Sequence, residues 1–335
     1  MADLFLSPII LVILMALVFE FINGFHDTAN VVATSLATKA LKPRLAILVA
    51  VTMNFIGALT FNQVAQTIAG SIINPQLLQN ISVIIPALLA AIIWNLITWF
   101  FGLPSSSSHA LIGALVGAII GSISPTAINY EGTIIILKSL FFSPLAAFLA
   151  GFSLMNLCRI ILFYLWPKEI TKYFFWLQRF SVIGQAFAHG SNDAQKTTGI
   201  IILALAAEGY LPSLQAPWEV KATVATVLAL GTATGGWRII NTVSKKITKL
   251  EPANGFTADF SSTLVILGAT IFGLPVSTTH VVSMAIVGVG TTKGFMAVNW
   301  STVLKLVLAW SVTLPVTVTL GAVFSKLFFP FFAKS

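Results

Sequence analysis

Long apolar stretches alternate with short polar breaks along the whole chain. A helix needs roughly 20 residues to cross a hydrocarbon core of ~30 Å. Spans of this kind are expected at 4–22, 44–69, 82–101, 105–121, 134–165, 173–188, 194–207, 221–237, 258–273, 276–291 and 301–329. Nothing between them is large enough to form a soluble domain. The pattern predicts an all-α, polytopic membrane protein. Composition agrees: 8% of residues are charged, 57% are hydrophobic, and the mean hydropathy is +0.95.

The first apolar stretch has Asp3 as its only early charge and runs on into a polar motif, so it reads as a structural helix and not a signal peptide. Cys158 is the only cysteine, which excludes an intrachain disulfide or a cysteine-based metal site. The net charge of +8 is read as a report on membrane orientation, not as nucleic-acid binding.

Two polar motifs occur twice. Phe-Gly-Leu-Pro stands at 101–104 and 272–275, followed by Ser105, Ser106, Ser107, Ser108 and His109 in one copy and by Ser277, Thr278, Thr279 and His280 in the other. Upstream, NGFHDTAN at 23–30 matches HGSNDAQK at 189–196, aligning Gly24 with Gly190 and Asp27 with Asp193. The offsets are 171 and 166 residues, so the chain reads as a duplication with halves 1–166 and 167–335.

Equivalent loops carry opposite charge. Lys39, Lys42 and Arg44 oppose Glu208, Glu219 and Lys221, while an uncharged 70–81 opposes Arg238, Lys245, Lys246, Lys249 and Glu251. The positive-inside rule places them on opposite faces, giving two inverted repeats. The basic junction at Lys168, Glu169, Lys172 and Arg179 fits; Lys326 and Lys334 fit less well. The scheme needs 82–101 with 105–121, and 258–273 with 276–291, to form hairpins. Two full crossings satisfy the charges equally, but the polar apices favour re-entrant hairpins with their turns inside the membrane.

All four histidines, His26, His109, His189 and His280, fall within these motifs, as proton-carrying or gating candidates. Satisfied polar contacts between helices are the bland alternative. A carboxylate at mid-membrane costs about 2.5–3.5 kcal/mol on insertion scales, so Asp27 and Asp193 are the leading cation-coupling candidates. Asn30 shares a helix face with Asp27, and Lys196 with Asp193; Lys196 reads either as an ion-pair partner or as a substrate contact. Gly24 and Gly190 would permit unwinding or close approach. Pro104 and Pro275 are expected to stop one helical arm, so that the next begins among hydroxyls. Such a helix start, with free N–H groups and a positive dipole end, is an anion site. N-capping by Ser105 or Ser277 is the simpler reading, but it needs one hydroxyl, not four. A protonated phosphate can donate to Asp27 or Asp193, which sulfate cannot do. Asp259 is either a third coupling carboxylate or an interfacial residue, and Arg159 and Arg238 read as snorkelling side chains.

With these motifs the chain resembles inorganic phosphate transporters of the PiT family, in the compact bacterial form. The resemblance covers essentially the whole chain. It implies a cation-coupled symporter with substrate between the two hairpins and the two signature helices. Asp27, Asn30, Asn192, Asp193, Lys196 and the hydroxyls at 105–108 and 277–279 would form its site. His26 stands where many relatives have Asn. Asn54 stands where sodium-coupled relatives tend to have Glu, which favours protons over sodium.

The expected partners are inorganic phosphate, a coupling cation (H⁺ or Na⁺) and the lipid bilayer; self-association is left open. No cofactor and no resident metal is expected, although a divalent metal could travel with the phosphate. The alternatives are a sulfate permease of the same family and, further off, an anion channel. An intramembrane aspartyl enzyme is set aside, because nothing supplies a peptide groove.

Overall fold

A computed structural model describes residues 8–73, 78, 80–164 and 167–332. Twelve α-helices occur among them: α1 Pro8–Ala37, α2 Pro43–Thr60, α3 Gln63–Ser71, α4 Ile84–Phe100, α5 Ser107–Ser122, α6 Tyr130–Tyr164, α7 Pro167–Ala207, α8 Trp218–Thr234, α9 Trp237–Lys246, α10 Pro252–Ile271, α11 Thr278–Thr291 and α12 Trp300–Phe332. The described residues contain no strand, only two isolated bridges, Ile73 with Ile128 and Thr248 with Val298. Five helical segments are long and apolar enough to cross a membrane: Pro8–Ala37, Pro43–Thr60, Ile81–Phe100, Tyr130–Ile160 and Trp300–Phe328. The chain is a multi-pass membrane protein.

The order of elements in α1 to α6 recurs in α7 to α12. A short 3₁₀ turn precedes the last helix each time, at Pro125–Ala127 and at Phe295–Ala297. The two sets exchange partners: α5 packs on α12 and α11 on α6, while α1 packs on α8 and α7 on α2. Glu20 of α1 meets Thr197 of α7, whereas Thr34 of α1 shares Asp259 with Gln178 and Ser181 of α7. The two helices therefore run in opposite directions past one another.

Several expected elements differ. The stretches 173–188 and 194–207 are one helix, α7, because the polar motif between them continues the turn and buries its side chains. Likewise α1 runs unbroken through 23–30. Gly24 and Gly190 thus do not unwind their helices; they let neighbours approach. The stretch 44–69 breaks at Phe61 and Asn62 into α2 and α3. The loop expected at 238–251 contains α9. The hairpin arms end before their prolines, at Phe100 and Ile271, where Gly102 and Gly273 take φ of +64° and +68°. Such a left-handed residue ends a helix at little steric cost in glycine. Residues 4–7, 74–77 and 79, Lys334, and the side chains of Lys168, Glu169 and Lys245 lie outside what is described.

α5 and α11 have 16 and 14 residues. At 1.5 Å per residue they are about 24 and 21 Å long, short of a ~30 Å core. Their hairpin partners α4 and α10 bring them back among the long helices.

The exchanged crossings rest on glycine. A Cβ on Gly231 would stand 2.2 Å from the Phe21 carbonyl oxygen, and one on Gly57 2.2 Å from that of Phe187. Close backbone approach of this kind replaces the hydrophobic drive that helices lack in lipid. Gly57→Ala is expected to destabilise by about 1–3 kcal/mol, as overpacking does, and so to lower the thermal midpoint in detergent. Gly268→Ala, where a Cβ meets nothing within 4 Å, is expected to leave that midpoint unchanged or raise it.

Candidate substrate and cation site

α1 and α7 each pass from one apolar core into another. Val12, Phe19 and Ile22 of α1 belong with Ile200 and Leu203 of α7 in the first core; Val31 and Val32 of α1 belong with Val182 and Ala186 of α7 in the second. Between the cores, residues 23–30 and 189–196 turn buried polar side chains toward each other and toward the starts of α5 and α11. A polar layer buried this deeply must satisfy itself.

Asp27 accepts from Ser107 at 3.0 Å and from Thr279 at 3.2 Å, one hydroxyl from each hairpin. Asn30 donates to Thr279 Oγ1 at 2.9 Å. The other motif repeats the arrangement. Asp193 accepts from Thr278 at 3.0 Å, and Lys196 donates to Ser108 Oγ at 2.6 Å. Lys196 also pairs directly with Asp193 and donates to the Val276 carbonyl at 2.8 Å. Each motif thus holds one hydroxyl of its own half and one of the other.

The outer contacts also match. His26 lies 2.8 Å from Asp27 Oδ1 and 3.2 Å from Thr98 Oγ1. Asn192, its counterpart, donates to Thr270 at 2.9 Å and accepts from the Val276 N–H at 3.2 Å. Ser106 and Ser277 cap their helices, accepting from the N–H of His109 and His280 at 3.1 and 3.3 Å. Ser105, one of the two cap candidates of the simpler reading, instead donates to Thr98 at 2.8 Å, because it still belongs to the extended connector. Both helix starts therefore aim their positive ends into one layer.

The four histidines divide. His189 lies 3.1 Å from Asp193 Oδ2 and 3.1 Å from Asn54 Oδ1, and His26 stands beside Asp27. His109 and His280 stand beyond the caps with ring centres 4.7 Å apart, and His280 stacks on Trp310 at 4.0 Å. Asp27, His189 and Asp193 each offer an atom within 4.8 Å of the others, a set that could hold a cation. Sequence reasoning did not assemble that trio. Asp27 and Asp193 bring two carboxyl groups to the layer against the single amine of Lys196.

Asp259 is not brought to this layer. It accepts from Thr34, Gln178 and Ser181 at 2.7, 2.7 and 3.0 Å, toward the second core. Sequence reasoning missed Thr98 and Thr270 beside the layer, Thr232, which accepts from Asn54 at 3.0 Å, and Glu20, which lies outside the layer. Thr98 and Thr270 had a signal, since each lies close before a Phe-Gly-Leu-Pro at nearly the repeat spacing. Glu20 had one too, as the only acid inside the first apolar stretch.

Paired helix starts over buried acids, inside a multi-pass helical membrane protein, define a transporter of small ions. The particular family follows from comparison. The sequence model of the phosphate transporter family matches residues 23–321, and the chain belongs to that family. It is 49% identical to a probable low-affinity inorganic phosphate transporter of Bacillus subtilis (strain 168), over 96% of this chain and 97% of that protein. It is 40% identical to a protein of the same description from Rhizobium meliloti (strain 1021), over 92% and 93%. Its fold matches a solved structure described as the sodium-dependent phosphate transporter, with a TM-score of 0.88 and 24% identity, covering 97% of this chain and 99% of that one. The protein is a transporter and not an enzyme.

Removing one partner of a buried ion pair costs about 3–5 kcal/mol, because the other charge is left uncompensated. Lys196→Met is therefore expected to destabilise strongly, and Asp193→Asn with Lys196→Met to recover much of the loss. A double-mutant cycle on thermal midpoints checks this; additive losses would mean that the pair is not coupled.

Proposed function

We propose that the chain imports inorganic phosphate together with a cation, by alternating access between two inverted repeats. The observation that supports this most is the convergence of Ser107, Ser108, Thr278 and Thr279 on Asp27, Asp193 and Lys196, with donors from both halves at each motif. Hydroxyls, an ammonium and two helix starts suit the oxygens of a tetrahedral anion. The carboxylates suit the proton that phosphate still carries at neutral pH, or a cation bound beside it. Coupling is needed because each negative charge entering against 100 mV costs about 2.3 kcal/mol.

In this reading 1–166 and 167–335 are the two repeats, and α4–α5 and α10–α11 are re-entrant hairpins whose tips form the gate. The lengths of α5 and α11 and the antiparallel passage of α1 and α7 support it. Asp27, His189 and Asp193 are the cation seat, and Asn30, Asn192 and Lys196 complete the substrate contacts. The family resemblance at Asn54 favours protons as the driving ion. Asp259, held apart, serves the second core and not the substrate.

Uptake of ³²P-phosphate into proteoliposomes tests this, with an inward proton or sodium gradient imposed separately and excess sulfate as competitor. The expected result is accumulation driven by the proton gradient and indifferent to sulfate. Accumulation driven by sodium alone would reassign the ion, block by sulfate would reassign the anion, and flux independent of either gradient would make the protein a channel. Asp27→Asn is expected to abolish accumulation while the protein stays folded, and Asp193→Asn to abolish it in the destabilised protein that remains folded; wild-type uptake in both would remove the proposal.

A further inference from the structure

Glu20 takes no part in the polar layer. It precedes Asp27 on α1 by seven residues, two helical turns, or about 10 Å along the axis. Its side chain is fully buried beside Phe19 and Ile22 of the first apolar core. Thr197 of α7, the residue after Lys196, donates to its Oε2. Among the described residues, Oε1 accepts no hydrogen bond, and neither does Oδ1 of Asn23, one turn further along the same helix face.

Asp259 shows what a buried anion in this fold receives. It is equally buried and accepts from three donors, Thr34, Gln178 and Ser181. Glu20 has Thr197 on Oε2 and, more weakly, the Asn23 side chain, while Oε1 accepts no hydrogen bond in apolar surroundings, a poor setting for a bare charge. A proton on Oε1 removes that charge. It also turns an unpartnered acceptor into a donor, with another unpartnered acceptor one turn away.

We propose that Glu20 carries a further proton of the transport cycle, apart from the cation seat of the polar layer, loaded from water on one side of the membrane and unloaded to water on the other. The inference rests on cation-coupled phosphate transport by this chain. The charged groups acting on Glu20 are Asp193 and Lys196 of α7. α4 and the turn Ile81–Val83 carry no titratable residue, and the only charged residues of α8, Glu219 and Lys221, stand in its first turn. With Glu20 ionised, Lys196 answers it as well as the carboxyl groups of the polar layer. With Glu20 protonated, Lys196 answers the layer alone and has more positive field to offer an anion near Ser108. Proton and phosphate then favour each other's binding, as symport requires.

Proteoliposomes loaded with phosphate separate this inference from the reading beneath it. Phosphate–phosphate exchange needs no gradient, so its absence in the wild type would remove the transport reading and this proposal with it. Where exchange is present, an inward gradient of one pH unit allows about tenfold accumulation per coupled proton. Glu20→Gln is expected to go on exchanging phosphate and to lose that accumulation, while Glu20→Asp retains it. Wild-type accumulation by Glu20→Gln would overturn the proposal. Should Glu20→Gln fail to fold, Thr197→Val provides the test: the pH profile of exchange is expected to shift, and an unshifted profile overturns the proposal. Infrared difference spectra give a readout independent of transport. A protonated-carboxyl stretch that responds to pH in the wild type is expected to vanish in Glu20→Gln, and its persistence would assign the proton elsewhere.

Discussion

Two carboxylates buried in an apolar helical bundle, Asp27 and Asp193, set the terms for the rest of this structure. Neither can be left bare, since an uncompensated charge at such depth is far costlier than any single packing contact. The fold answers by bringing both hairpin tips to the same layer, so that each aspartate receives a hydroxyl from its neighbourhood, and by placing Lys196 against Asp193. The compensation is incomplete on the Asp27 side, where Asn30 stands in the position that Lys196 takes in the other motif. That inequality is what makes the layer receptive to a further cation or proton, and it is the physical root of the proposed coupling.

The apolar parts of the chain make this layer possible and also limit it. Two cores lie on either side, and α1 and α7 contribute to both, so a shift of one core against the other must pass through the motifs. Glycine at the exchanged crossings lets backbones touch, which fixes the helices laterally without bulky side chains to interlock.

Much of this was legible in the sequence, for a physical reason. Polar residues are so costly in an apolar chain that each cluster of them marks a place where function outweighs insertion cost. The motifs at 23–30, 101–109, 189–196 and 272–280 stood out on those grounds, and the structure brings Asp27, Asp193 and Lys196 together with the hydroxyls of Ser107, Ser108, Thr278 and Thr279. The chain also proves to be a member of the phosphate transporter family, as the motif resemblance implied. What composition could not show was continuity. The polar runs inside α1 and α7 looked like breaks, because a linear window cannot tell a polar helix face that will be buried by neighbours from a loop. Glu20 and Thr98 were passed over because each lies in an apolar run outside the duplicated motifs, and only the tertiary contact with Thr197 or His26 gives it meaning. Asp259 was read either as a third coupling carboxylate or as an interfacial residue, and its partners Gln178 and Ser181 lie on a part of α7 that carries no motif.

The most direct measurement of the central claim is a structure of the protein determined in saturating phosphate. The account predicts tetrahedral density between the starts of α5 and α11, within hydrogen-bond distance of Ser107 or Ser108 and of Thr278 or Thr279, with Asp27 and Asp193 on its flank. Phosphate seated elsewhere, with the hairpin hydroxyls still bound only to the aspartates, would contradict it.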